Sequence, residues 1–232
     1  MVSVVPKLKI LALDTSTEAC SVAVWVDGAL NERFKLERHS EHILPMVQGV
    51  LAEAGLSLTQ LDAIAFGRGP GSFTGLRIAA GVVQGLAFGA NLPVVAVSSL
   101  AVLAQGAGAS RVLAALDARM HQVYWGAYAR NAEGLMELAG AEIVIAPQAV
   151  PLAEGDGWVG AGGGWDQYST LLLDRLGSRV KEWRKQCYPH AGDVARLGAA
   201  GFARGDIVSP ENALPIYIRD EIAVKQRHFT AP

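Results

Sequence analysis

The feature that most constrains this chain is a repeat. Ile10-Leu11-Ala12-Leu13-Asp14 near the start returns as Val112-Leu113-Ala114-Ala115-Leu116-Asp117 about a hundred residues later. Each copy is a short apolar run ending in aspartate, followed by a polar turn and a second strand-like segment: Cys20 to Val26 after the first, Gln122 to Ala129 after the second. A third segment follows each time, at Leu30 to Leu36 and around Leu135 to Ile145. Fixed-order recurrence of this kind is the mark of an internal duplication. The reading is two β-β-β-α units, 1–105 and 106–232, with the crossover at Gln105 to Ser110 and direct packing of the two lobes.

Helical spacing fills in the first unit. Ile43, Val47, Val50, Leu51 and Ala54 recur on one face until Gly55, with Ser40 as N-cap and Pro45 near the first turn. A strand at Ala63 to Phe66 leads into Gly67-Arg68-Gly69-Pro70-Gly71-Ser72-Phe73-Thr74-Gly75. A second helix is expected over Leu76 to Phe88, capped by Ser72 or Thr74, then a strand at Leu92 to Val97. In the second unit the sequence predicts a short helix after Pro147, a loop at Gly160 to Gly164, and helices from Trp165 to Leu176 and from Gly192 to Arg204.

Two lobes that each open with a strand ending in Asp are the plan of the actin-like ATPase fold (ASKHA, ribonuclease H-like), an α/β class. In such folds both aspartates face a nucleotide cleft, and nearby glycines let backbone N–H groups approach phosphate. The candidate cleft residues are therefore Asp14, Thr15, Ser16, Gly69, Gly71, Asp117 and Arg119. Neither Asp is followed directly by glycine, which weakens a phosphate cradle. Gly69 to Gly75 matches neither G-x-x-x-x-G-K-[ST] nor G-x-G-x-x-G. His39 and His42 stand three apart with no third ligand close in sequence, Cys20 and Cys187 are isolated, and no serine or cysteine sits in a nucleophile elbow. No metal site and no catalytic constellation is read from the residues.

The second helix carries Gly81, Gly85 and Gly89 at intervals of four, at a cost of about 1 kcal/mol each against alanine. Close approach of another backbone is the usual compensation. Its remaining positions are apolar nearly all round, which suggests burial on two sides. The expected docking surface, for a like helix pair on another subunit, is His42, Leu44, Met46, Val47 and Val50 on the first helix with Arg77, Ile78, Val82 and Leu86 on the second.

Net charge is −2 with 18% charged residues, too little positive charge to hold a polyphosphate globally. Basic residues gather at Arg179, Lys181, Arg184 and Lys185 and at Arg219, Lys225 and Arg227. Clusters of this size are more often solvated faces. The apolar stretch Ile78 to Ala104 contains Gln84, Asn91 and Pro93 and reads as helix, turn and strand rather than a membrane span. The apolar run after Lys7 and Lys9 is too short for a signal peptide, so a cytoplasmic location without membrane contact is expected.

The runs Ile10 to Thr17, His39-Ser40-Glu41-His42-Ile43-Leu44-Pro45-Met46-Val47, Gly67 to Ile78, Asp117 to Met120 with Val123-Tyr124-Trp125, and Pro215-Ile216-Tyr217-Ile218-Arg219 together resemble the TsaB (YeaZ) family. That resemblance implies a role in making threonylcarbamoyladenosine (t6A) on tRNA, as a non-catalytic partner that binds and activates a TsaD-like paralogue together with a TsaE-like ATPase. It also implies a homodimer in isolation, contact with tRNA mainly through the complex, no cofactor required by this chain, and ATP or ADP at most in the complex. TsaD-like chains carry a His-x-x-x-His metal pair, and those positions fall here at Ser99 and Leu103, neither able to replace histidine. The alternatives are a degenerate actin-like nucleotide-binding protein, a metal-dependent glycoprotease-like enzyme or sugar kinase of the same fold, and a purely structural homodimer.

Overall fold

The computed structural model describes residues 7–36 and 39–219. Contacts divide these into two units. The first takes the described residues up to Arg68, then Ser72–Ser98 and Pro189–Leu214; the second takes Gly69–Gly71, Ser99–Tyr188 and the described residues from Pro215.

The first unit is built on β1 (Lys9–Asp14), β2 (Cys20–Val26), β3 (Ala29–Lys35), β4 (Ala63–Gly69) and β5 (Val94–Ser98), in the order β3-β2-β1-β4-β5. The first three strands form an antiparallel meander and β4 adds parallel to β1. Period-two alternation sorts the side chains. Leu11, Leu13, Val22, Val24, Ile64 and Phe66 share one core with α1 (His39–Glu53) and α2 (Phe73–Ala90).

The opposite face includes Ala12, Ala23, Ala63 and Ala65, and α5 (Ala191–Arg204) lies on it. A Cβ on Gly198 would stand 2.6 Å from the Ala65 methyl, and one on Gly201 2.9 Å from a Val95 methyl. Only glycine lets the helix approach that closely.

The second unit repeats the plan with β6 (Arg111–Asp117), β7 (Val123–Arg130), β8 (Met136–Leu138), β9 (Ile143–Ile145), β10 (Trp158–Ala161) and β11 (Val180–Arg184). Its order is β11-β10-β6-β7-β8, with β9 also pairing with β7. Val112, Ala114 and Leu116 face α3 (Ser99–Gly106), while Leu113 and Ala115 share a core with Trp165, Leu172 and Leu176 of α4 (Gly163–Leu176). The duplication read from the two Asp-ending runs is thus present as two sheets of matching strand order.

Several local expectations are revised. The segment from Ser99 begins a helix rather than a crossover at Gln105 to Ser110, because Leu100, Leu103, Ala104 and Ala107 bury into the second core. The third strand of unit two is broken into β8 and β9. Gly160 and Ala161 belong to β10 rather than to a loop: Gly160 lies under the Trp165 ring, where a Cβ would meet it at 2.4 Å. Helix α1 spans His39–Glu53, so Ser40 lies inside it and Pro45 falls in its second turn, where a proline has no N–H to give the helix. Ser72 does cap α2, its hydroxyl accepting from the Gly75 N–H at 3.3 Å. The apolar stretch beyond Ile78 is the rest of α2, a turn and β5. By length and composition α2 could cross a membrane; in unit one it packs through Leu76, Ala79, Ala80, Val83 and Ala87.

Candidate functional site

At the end of β1, Asp14 is almost fully buried. Its Oδ1 accepts from the Ser16 N–H (2.8 Å) and the Ser16 hydroxyl (2.7 Å), the two-residue reach of an Asx turn. Its Oδ2 has no partner among the described residues. Burial pushes its pKa up to about 6, against the two Ser16 hydrogen bonds and the nearby His190, which pull the other way.

Thr15 and Ser16 are buried too, and both hydroxyls are used inside the fold. Thr15 donates to the Gly75 carbonyl at 2.7 Å, and the Ser16 carbonyl accepts from Ser72 N–H at 2.7 Å. A Cβ on Gly75 would sit 1.9 Å from the Thr15 carbonyl oxygen. The β1–β2 turn and the N-terminus of α2 are therefore one locked piece, and Thr15 and Ser16 do not present free hydroxyls to a phosphate. Among the described residues, Asp14 keeps one buried oxygen without a partner.

In the second unit the Gly69 N–H donates to the buried Ser99 hydroxyl at 3.2 Å. Leu103 lies in the apolar core one turn further along α3. Gly71, half-buried, closes the short piece counted with this unit. Asp117 accepts from the Arg119 N–H (3.0 Å) and from the Tyr168 hydroxyl (3.4 Å), and pairs with the Arg119 guanidinium at 3.4 Å. Arg119, Met120 and His121 are three successive non-glycine residues in the left-handed region, with φ of 61°, 52° and 56°. Such a run costs about 1–2 kcal/mol per residue. Arg219 braces it, donating to the Ala118 carbonyl at 2.8 Å and to the Met120 sulfur at 3.1 Å.

A cluster that sequence reasoning missed sits at the start of α5. The Glu32 carboxylate on β3 accepts from the Ser21 hydroxyl (2.7 Å) and the Gly192 N–H (3.1 Å) and pairs with His190 at 3.4 Å. Ser21 in turn accepts from Ala191 N–H at 2.8 Å, and His190 stacks on the Phe34 ring at 4.6 Å. An anionic side chain thus meets the positive end of a helix. Partial burial works to raise the Glu32 pKa, but hydrogen bonds from His190, Ser21 and Gly192 outweigh it and hold the carboxyl below its ordinary value; Glu32 in turn raises His190. The partners lie up to 170 residues apart in sequence, so no local pattern announces them.

The expected docking residues separate into two groups. Met46, Val47 and Val50 are buried in unit one's own core and form no surface. Leu44 and Arg77 are exposed, His42 is half-buried, and Ile78, Val82 and Leu86 are half-buried along the rim of that core. Sequence reading left out Phe73, whose ring lies 3.6 Å under the Arg77 guanidinium, and Phe88, which is 81% exposed. Beside them Gly81, Gly85 and Gly89 face open space: a Cβ on any of the three meets nothing within 4 Å. Within the described chain no backbone comes near enough to need them.

Comparison with known proteins fits this geometry. Residues 34–156 match the family model described as TsaD: tRNA N6-adenosine threonylcarbamoyltransferase. The tRNA threonylcarbamoyladenosine biosynthesis protein TsaB of Escherichia coli is 45% identical over 229 residues, spanning 94% of this chain and 98% of that one. The TsaB of Haemophilus influenzae is 39% identical over 234 residues, with 94% and 97% covered. The structure of YeaZ from Pseudomonas aeruginosa superposes with a TM-score of 0.83 at 50% identity, covering 90% of this chain and 99% of that one. A duplicated pair of sheets, each opened by an Asp-ending strand and matched nearly end to end by these relatives, has the actin-like ATPase fold, and the chain belongs to the TsaB (YeaZ) family of tRNA threonylcarbamoyladenosine biosynthesis proteins.

Proposed function

We propose that the chain is a non-catalytic partner subunit of the t6A machinery, binding and activating a TsaD-like transferase together with a TsaE-like ATPase in the cytoplasm. The observation that carries this reading lies on α3. The two positions that hold the metal histidines in TsaD-like chains are Ser99, whose buried hydroxyl accepts the Gly69 N–H, and Leu103, a core residue. A hydroxyl tied to the backbone and an isobutyl group packed among Leu100, Ala104 and Val112 are poor donors for a transition metal. The hydroxyls beside Asp14, committed to internal hydrogen bonds, support the same reading, and no cofactor is assigned to this chain.

The partner surface is the outer face of α2 with Leu44 of α1: apolar side chains flank three glycines whose conformational cost is not repaid among the described residues. Close approach of a helix from another subunit repays it. The same face serves a homodimer when the chain is alone. The tRNA is held mainly by the complex.

The test is reconstitution. TsaD-like and TsaE-like proteins, threonylcarbamoyl-adenylate, ATP and tRNA are combined with and without this chain, and modified adenosine is measured. Modification is expected only with the chain present; equal yield without it would end the proposal. A degenerate nucleotide-binding protein is the second reading, favoured by the buried Oδ2 of Asp14, which has no partner among the described residues. Calorimetric titration of the isolated chain with ATP and Mg²⁺ separates the two, since tight binding abolished by Asp14→Asn supports only the second.

A further inference from the structure

The second sheet ends on one side at β11, an edge strand. The strand runs Val180–Arg184, and with its two flanking residues the segment Arg179 to Lys185 carries Arg179, Lys181, Arg184 and Lys185 against the single carboxylate Glu182, which makes +3 in seven residues of a chain whose net charge is −2. The remaining 225 residues therefore sum to −5. Four of the chain's 20 lysines and arginines thus fall in this one short segment.

The local geometry turns that charge outward. Trp158 and Val159 of β10 pair with Val180 and Glu182 of β11, so Lys181 is the extra residue of a β-bulge. Bulges at sheet edges re-aim a side chain, and Lys181 is exposed. Just past the strand's end, the exposed Lys185 holds its ammonium 5.6 Å from the centre of the ring of Trp183, which is half-buried against the Trp165 core. The cation of Arg184 is tied to the Ala107 carbonyl and lies 3.7 Å from Glu182. A row of cations interleaved with an aromatic face is the arrangement that tracks a phosphate backbone while offering a base a surface to stack on.

We infer that the β11 edge, through Lys181, Trp183 and Lys185, is a direct contact surface for RNA. The choice of RNA as the polyanion rests on the family reading above; the surface itself rests on charge and geometry. It gives the chain its own share in holding the tRNA. Of the second basic cluster, Arg219 is engaged by the Ala118 carbonyl, and Lys225 and Arg227 lie outside the described residues.

Lysines and bulges also protect sheet edges from pairing with one another. Glutamate at these positions would protect as well, so charge reversal separates the two roles. Binding of an unmodified tRNA transcript to the full chain is followed by fluorescence anisotropy from 50 to 200 mM salt, for wild type, K181E/K185E and W183A. R196E/R204E, on the exposed side of α5, makes the same total charge change elsewhere and is the control.

The reversal is expected to weaken binding at least tenfold and to flatten the salt dependence by about 1.5 in log–log slope, the loss of two phosphate contacts. W183A is expected to weaken binding without changing that slope, and the control to change binding less than threefold. If the reversal fails to fold by circular dichroism, K181Q/K185Q removes the same contacts without adding repulsion. The inference is overturned by wild type that does not bind the transcript, by equal losses in patch and control variants, or by a reversal that spares RNA binding and instead blocks co-elution with the transferase subunit. Patch-dependent RNA binding together with chain-independent modification would sink the proposed function and leave this surface standing.

Discussion

Replacing Asp14 by asparagine is expected to stabilise the protein above neutral pH, and the size of the gain follows from the site. The carboxyl is buried, Oδ2 has no partner among the described residues, and its pKa stands at about 6 against an ordinary 3.8. The folded state therefore holds the proton more tightly than the unfolded chain does. Below pH 3.8 both states are protonated and burial exacts nothing. Between 3.8 and 6 a penalty builds as the unfolded chain ionises first, and above 6 it is complete at about 3 kcal/mol, from 1.36 kcal/mol per pKa unit. Asparagine keeps the Oδ1 that receives the two Ser16 hydrogen bonds and removes the charge. It adds a buried amide N–H₂ where Oδ2 stood, at about 1 kcal/mol. The net gain is about 2 kcal/mol at pH 8, or about 4–8 °C in Tm for a chain of this size. Thermal unfolding of wild type and D14N at pH 8 and pH 4 checks it. The variant should be more stable at pH 8 and lose that advantage at pH 4. A variant less stable at pH 8, or one with the same shift at both pH values, refutes the account of Asp14 as a charge buried at a loss.

The other expectations concern packing and partner surfaces. Phe88→Glu should abolish self-association and transferase binding on a sizing column with almost no effect on stability, because Phe88 is exposed; V82E/L86E should do the same at an added cost of about 1–2 kcal/mol, since both side chains also touch the core. Association that survives both would remove α2 from the interface. Gly85→Ala should raise the stability of the isolated chain by about 1 kcal/mol while weakening association, whereas Gly75→Ala, whose Cβ meets the Thr15 carbonyl at 1.9 Å, should cost on the order of 3 kcal/mol; urea titration orders them. Glu32→Ala should destabilise by about 2 kcal/mol at pH 7 through loss of the Ser21 and Gly192 bonds. That loss should fade in acid, since a carboxyl held below its ordinary 4.5 stabilises only above its titration range; an equal loss at pH 3 would count against the clamp.

What could be read from the sequence was what repeats locally. The two Asp-ending runs, the turn at Asp27-Gly28, the cap at Ser72 and the glycine row of α2 each announce themselves within a few residues, and each appears where the pattern puts it. Strand β11 escaped notice because Val-Lys-Glu-Trp-Arg has the polarity of a surface loop; an edge strand buries too little to look apolar. Helix α3 was hidden by its neighbours, since an apolar run beside a strand has no period of its own. For the first helix the spacing of Met46, Val47 and Val50 could not tell an outer face from an inner one. At the site, Asp14 was legible as a strand end, but the commitment of Thr15 to Gly75, sixty residues away, was not. The clamp of Glu32 on α5 joins residues 160 apart and leaves no trace in any short window.

The return of α5 to the first sheet has a consequence for synthesis. The strands that α5 covers are complete by Ser98, but the chain then makes the ninety residues of Ser99–Tyr188 before it supplies the segment Pro189–Leu214. At 5–20 residues per second the alanine-lined side of that sheet waits roughly 5–20 s on the ribosome for its cover. A gene cut after the first repeat would therefore yield a nascent half that cannot finish itself.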